Sequence, residues 1–263
     1  MPPDVVDFSA FYDTRLGQTA RHLIRRSMRR VWPDLGGLSL LGLGHATPLL
    51  RPFLAEAERV VALMPASQGV MAWPPQEPRL VTLADDDDLP LPDESFDRVI
   101  ILHALEFSEQ VDPMLREVWR VMSGEGRLLA IVPNRAGLWA RIERTPFGHG
   151  RPYSPSQLTR LLRDNLFTPT SVSAALYFPP SRSRMMLRTA RAWEQVGRKW
   201  GGPFSGLLLV EAAKQVYSVR PESAGARTRR RIYLPIPGGH APEGARVTGA
   251  RVAGARVASR ASD

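Results

Sequence analysis

Short apolar runs alternate with amphipathic stretches along most of this chain. Residues 38–43, 59–63, 80–83, 97–102 and 127–132 are rich in Leu, Val and Ile and are bounded by Gly, Pro or acidic residues. Runs of that length and composition predict strands buried on both faces of a parallel sheet. Between them the apolar period changes. Leu16, Ala20, Leu23, Ile24, Ser27 and Val31 share one face of a predicted N-terminal helix, with Arg21, Arg25, Arg26, Arg29 and Arg30 on its solvated side. Met114, Leu115, Val118, Val121 and Met122 form a second stripe after the cap-then-proline pair Asp112-Pro113. Leu158, Leu161 and Leu162 form a third, behind the capping box that Ser154 and Gln157 make possible. Thr47 and Pro48 offer a cap and a first residue for a helix directly after the first strand. Strand-like segments near 170–177 and 206–219 flank a helix from about 183 to 199.

Strands alternating with helices predict an α/β fold, a doubly wound and mostly parallel sheet. We divide the chain into an N-terminal amphipathic helical segment (1–35), an α/β domain (36–220) and a tail (221–263). The tail holds eight Arg against Glu222, Glu243 and Asp263, has few large apolar residues, and repeats Gly-Ala-Arg-Val from 244, 249 and 254. Such a segment buries too little surface to offset its ordering entropy, so it is expected to be disordered.

Composition narrows the chemistry. The formal net charge is +9, yet all basic residues except Lys199 and Lys214 are arginine. That bias is compositional, so nucleic acid is not the expected partner. Cysteine is absent, which excludes disulfides, thiolate metal ligands and a cysteine nucleophile. No metal is expected. No apolar run is long enough to span a bilayer, and the N-terminus lacks the pattern of a signal peptide, so a cytoplasmic location with no membrane association is expected.

The stretch from Asp85 to Ile100 carries four aspartates, then Leu89-Pro90, then Ser95-Phe96-Asp97 opening an apolar run. It resembles the middle of class I S-adenosylmethionine-dependent methyltransferases of the type 11 group. The resemblance implies a Rossmann-like, seven-stranded sheet whose last two strands form an antiparallel edge hairpin, with S-adenosylmethionine as cofactor. It places Asp85 at the adenine amino group and the backbone of Asp86 at a ring nitrogen. Laid on the family's acidic and glycine-rich turn, Gly42 stands at the acidic position, Gly44 keeps the first glycine, Ala46 replaces the second and Pro48 the third. Met64 stands where a carboxylate usually receives the ribose hydroxyls, a bond that a thioether cannot make. Losing that pair costs on the order of 1.5–3 kcal/mol of binding.

The same resemblance assigns Tyr12 to cover the methionine end of the cofactor, and His149, Arg151 and Tyr153 to a substrate lid after the fifth strand. His103, just past the fourth strand, is the candidate general base, because imidazole titrates near working pH. Glu106 stands in the same segment. The Asn/Asp-Pro-Pro-aromatic turn of exocyclic-amine methyltransferases is missing after residue 102, so the expected acceptor is a small molecule. The eroded cofactor turn supports an alternative, a catalytically silent methyltransferase-like binding or scaffold protein with a protein partner.

Overall fold

A computed structural model of the chain describes residues 3–76, 78–200 and 204–216. The Arg-rich tail expected from 221 onward lies outside the described residues. Seven strands form one sheet: β1 (Ser39–Gly44), β2 (Arg59–Pro65), β3 (Val81–Ala84), β4 (Phe96–Leu102), β5 (Met122–Pro133), β6 (Phe167–Ala175) and β7 (Leu207–Lys214). Their order is β3-β2-β1-β4-β5-β7-β6. The pairs from β3 through β5 are parallel, whereas β7 runs antiparallel to both β5 and β6. The order reverses between β1 and β4, and ligands of open α/β sheets bind in the crevice beyond the carboxyl ends of strands at such a point.

The N-terminal segment forms two helices, α1 (Val5–Asp13) and α2 (Arg15–Val31), where the apolar spacing indicated only the second. A capping box between Asp4 and Asp7 starts α1, and Thr14 ends it while capping α2. A Cβ on Gly17 would stand 2.0 Å from the carbonyl oxygen of Phe11, so glycine permits the close corner between them. Phe11, Leu16, Ala20, Leu23, Ile24 and Met28 join Leu40, Ala62, Ile100 and Leu129 in one core on this side of the sheet.

On the other side, α4 (Val111–Val121) and α5 (Pro155–Asp164) cover Leu41, Leu43, Val99, Ile101 and Leu128. The capping box of Ser154 and Gln157 is present as expected. Two other helix starts differ from expectation. The helix after β1, α3 (Thr47–Leu50), has Ala46 at its N-cap, and Thr47 is its first helical residue. For α4 the N-cap is Gln110, and Asp112 accepts a hydrogen bond from Asn165 instead. The last helix, α6 (Arg184–Trp200), lies between β6 and β7 in sequence. No helix among the described residues is long and apolar enough to cross a membrane.

Asp97, at the start of β4, accepts from the backbone N–H of Ser39 at 2.9 Å and from the Ser123 hydroxyl at 3.0 Å. It fixes the leading ends of β1 and β5 against β4. The segment ahead of it is held from α4. Arg120 donates to the carbonyls of Leu89 and Leu91 at 2.8 and 2.9 Å and to the carboxylates of Asp93 and Glu117. Glu117 in turn accepts from the N–H of Leu89, and its hydrogen bond with Arg120 holds its carboxyl below the usual range.

Candidate functional site

The crevice beyond β1 and β4 is built first by backbone. Gly44 ends β1 at φ +81, and a Cβ there would meet the carbonyl oxygen of Leu102 at 2.2 Å. Gly42 is similarly hemmed, by Leu50 and Ala46. Both glycines therefore serve packing against neighbouring protein. Directly after β4, His103 adopts the left-handed conformation, φ +56, although it is not glycine. Non-glycine residues pay for that conformation, and strain of this kind concentrates at functional sites.

His103 is fully buried and tied on both ring nitrogens. Its Nε2 shares a 2.9 Å hydrogen bond with the Tyr12 hydroxyl, and its Nδ1 stands 3.1 Å from Glu106 Oε1. With Nδ1 donating to the carboxylate, Nε2 is the acceptor for the phenol. The second carboxylate oxygen, Glu106 Oε2, is buried without a hydrogen-bond partner. Burial, with the charge of Glu106, pushes the Tyr12 hydroxyl well above its ordinary pKa, so it is a phenol at neutral pH.

Aromatic rings fill the space between the turns after β1 and β4. Phe8, fully buried, stacks on His103 with centroids 4.7 Å apart and on His45 at 5.2 Å. Phe147 packs on His103 at 4.8 Å from the opposite chain segment. Gln68, in the loop after β2, closes the crevice by donating to the carbonyl of His103, while its own carbonyl accepts from the N–H of Val5 in α1. His45 is buried with no partner for Nδ1, and burial next to His103 lowers its pKa to about 3.

Beside this cluster lies a cavity of about 410 Å³ between α2, the turn after β1, the end of β2 and residues 71–76. Its walls include two of the cofactor candidates, Tyr12 and Met64, along with His45, Arg21, Arg25 and Arg51. The other candidates are elsewhere. Gly42 and Gly44 are packed in the sheet, Ala46 caps α3, and Asp85 and Asp86 stand past β3 on the far side of β2 without lining the cavity. Asp85 is exposed.

Two of the three lid candidates, Arg151 and Tyr153, meet the loop after β4, but as bound structure. The N–H of Arg151 donates to the carbonyl of Glu106 at 2.8 Å, and the Tyr153 hydroxyl donates to the carbonyl of Leu105 at 3.2 Å. His149 bonds the carbonyl of Glu143 through Nε2 at 2.6 Å. The residues missing from the sequence reading are Phe8, His45, Gln68 and Phe147, with the arginines of α2 read there as surface. Of the cluster, the sequence marked Tyr12, His103 and Glu106.

Residues 40–130 match the family model described as a methyltransferase domain. No curated protein sequence matches the chain. Among solved structures, a methyltransferase in complex with the Haloferax volcanii activator Trm112 is similar over 81% of this chain and 98% of its own, at 18% identity and TM-score 0.60. A Thermotoga maritima S-adenosylmethionine-dependent methyltransferase gives 16% identity, TM-score 0.57 and coverage of 80% and 96%. One from Mesorhizobium loti gives 18% identity, TM-score 0.51 and coverage of 72% and 96%.

As arranged, the residues present do not hold S-adenosylmethionine. Phe8 occupies the crevice between His45 and His103, Met64 supplies no carboxylate at the end of β2, and Asp85 stands apart from the cavity. The chain has the fold of class I S-adenosylmethionine-dependent methyltransferases, its residues 40–130 match a methyltransferase domain, and S-adenosylmethionine is the cofactor that match implies.

Proposed function

We propose that the protein is a methyltransferase acting on a small-molecule acceptor, and that its cofactor enters only when α1 withdraws Phe8 and Tyr12. The observation that carries this reading is the strained, buried His103 between Tyr12 and Glu106, at the carboxyl end of β4. A histidine oriented by a carboxylate on one nitrogen and engaged by a removable hydroxyl on the other is arranged as a general base. Departure of Tyr12 frees Nε2 to take an acceptor proton while Glu106 keeps the ring oriented. In this role Glu106 is a positioning residue.

The test is transfer of label from methyl-labelled S-adenosylmethionine into the low-molecular-mass fraction of a cell extract. Label there, abolished by His103→Ala, is the expected result. Label only in protein or RNA contradicts the small-molecule acceptor. A second reading, a catalytically silent binding protein, is favoured by one observation, the seating of Phe8 in the crevice. Failure of both wild type and Phe8→Ala to bind the cofactor would select it.

A further inference from the structure

The cavity beside the crevice has a charge that a sulfonium cofactor does not call for. Arg21 and Arg25 reach it from α2, and Arg51 from the turn after α3. Among the described residues none of the three forms a salt bridge, and Asp13 is the one acid lining the cavity. Arg25 is half-buried, and burial, with the charges of Arg21 and Arg51, pulls its pKa down to about 10. One of its terminal nitrogens donates to the carbonyl of Pro48, while its buried Nε has no partner. His45, which also lines the cavity, is more than nine-tenths buried and leaves Nδ1 without a partner. Buried polar atoms normally find partners, and like charges normally disperse. Three guanidinium groups lining one cavity with a single carboxylate favour an anion there.

We propose that this cavity binds a small phosphomonoester carrying an aromatic or heterocyclic group. Three guanidinium groups against one carboxylate leave an excess that matches the charge of a phosphate dianion, about −1.5 to −2 at neutral pH. A single carboxylate would neutralise only half of it. Guanidinium also supplies the planar, paired donors that phosphate oxygens accept. The remaining wall is apolar: Trp73 faces the cavity with Met64, Met71 and Pro74, a surface suited to a flat ring. The volume lies within the roughly 300–1,000 Å³ typical of small-molecule sites. The cavity shares Tyr12 and His45 with the crevice, but the titration below uses no methyl donor and its variants change no residue of the His103 cluster, so it can fail without the methyl-transfer reading failing.

Calorimetric titration of the full chain with adenosine 5′-monophosphate and with adenosine tests it. The monophosphate is expected to bind at least about tenfold tighter than the nucleoside, with affinity falling as salt rises. Arg51→Gln, whose side chain makes no hydrogen bond among the described residues, is expected to weaken that binding at least about tenfold. Arg25→Gln should do the same, provided circular dichroism shows it folded, since Arg25 also holds Pro48. Equal affinities for the two probes, no heat from the monophosphate at millimolar concentration, or an unchanged affinity in Arg51→Gln would each overturn the proposal. Inorganic phosphate binding as tightly as the monophosphate would overturn the assignment of the ring to the Trp73 wall.

Discussion

The hydroxyl of Tyr12 meets Nε2 of His103 at 2.9 Å across 91 positions of sequence, tying helix α1 to the carboxyl end of β4. Tyr12→Phe keeps the ring packing but removes the donor, leaving a buried nitrogen unpaired. The expected loss is about 1–3 kcal/mol of stability, the cost of an unsatisfied buried group. Urea unfolding of the two proteins measures it.

Gly44 carries a second prediction. Its φ of +81 and the Leu102 carbonyl 2.2 Å from any added Cβ make Gly44→Ala doubly unfavourable. Strain and displacement of β4 together should cost more than about 2 kcal/mol. A melting temperature equal to wild type would show that the β1–β4 approach tolerates a side chain.

The Asp-rich loop is anchored by Arg120, which gathers the carbonyls of Leu89 and Leu91 with Asp93 and Glu117. Arg120→Met keeps much of the stem and removes the charge-assisted bonds. The Leu91 carbonyl then loses its side-chain donor, the Leu89 carbonyl and Glu117 keep only backbone N–H donors, and about 2–3 kcal/mol should be lost. Faster amide exchange confined to residues 88–94 and the start of α4 would locate the effect.

His45 gives a pH dependence of defined sign. Burial holds its folded pKa near 3, whereas the unfolded imidazole titrates near 6.5. As pH falls below about 6.5 the unfolded chain takes up a proton that the folded chain refuses, so stability declines by up to about 1.4 kcal/mol per pH unit towards pH 3. Above that window the contribution is flat. Between about pH 7.5 and about pH 5 wild type should lose roughly 2 kcal/mol more than His45→Leu in denaturant titrations.

The strands were legible in the sequence because burial on both faces leaves continuous apolar runs, as in residues 38–43 and 97–102. The match to a methyltransferase domain was legible from Asp85 to Asp97, where turn, proline and strand start follow in order. The plug was not. Phe8, His45, Gln68 and Phe147 come from four separate segments, and only the folded chain brings their side chains together. Arg21 and Arg25 were read as solvated because a helical stripe says which face is apolar, not what stands opposite the polar one. Thr47 looked like a cap because its type fits, yet the chain already turns into the helix at Ala46.

Calorimetric titration with S-adenosylmethionine of wild type and Phe8→Ala, both freed of carried-over ligand, tests the central claim most directly. If α1 guards a working cofactor crevice, both proteins bind saturably and the smaller side chain binds at least about tenfold tighter, because less must be displaced. Removing so large a buried ring also costs about 3–5 kcal/mol of stability, so folding of the variant is verified by near-ultraviolet circular dichroism. No binding by either folded protein at millimolar concentration would contradict the account.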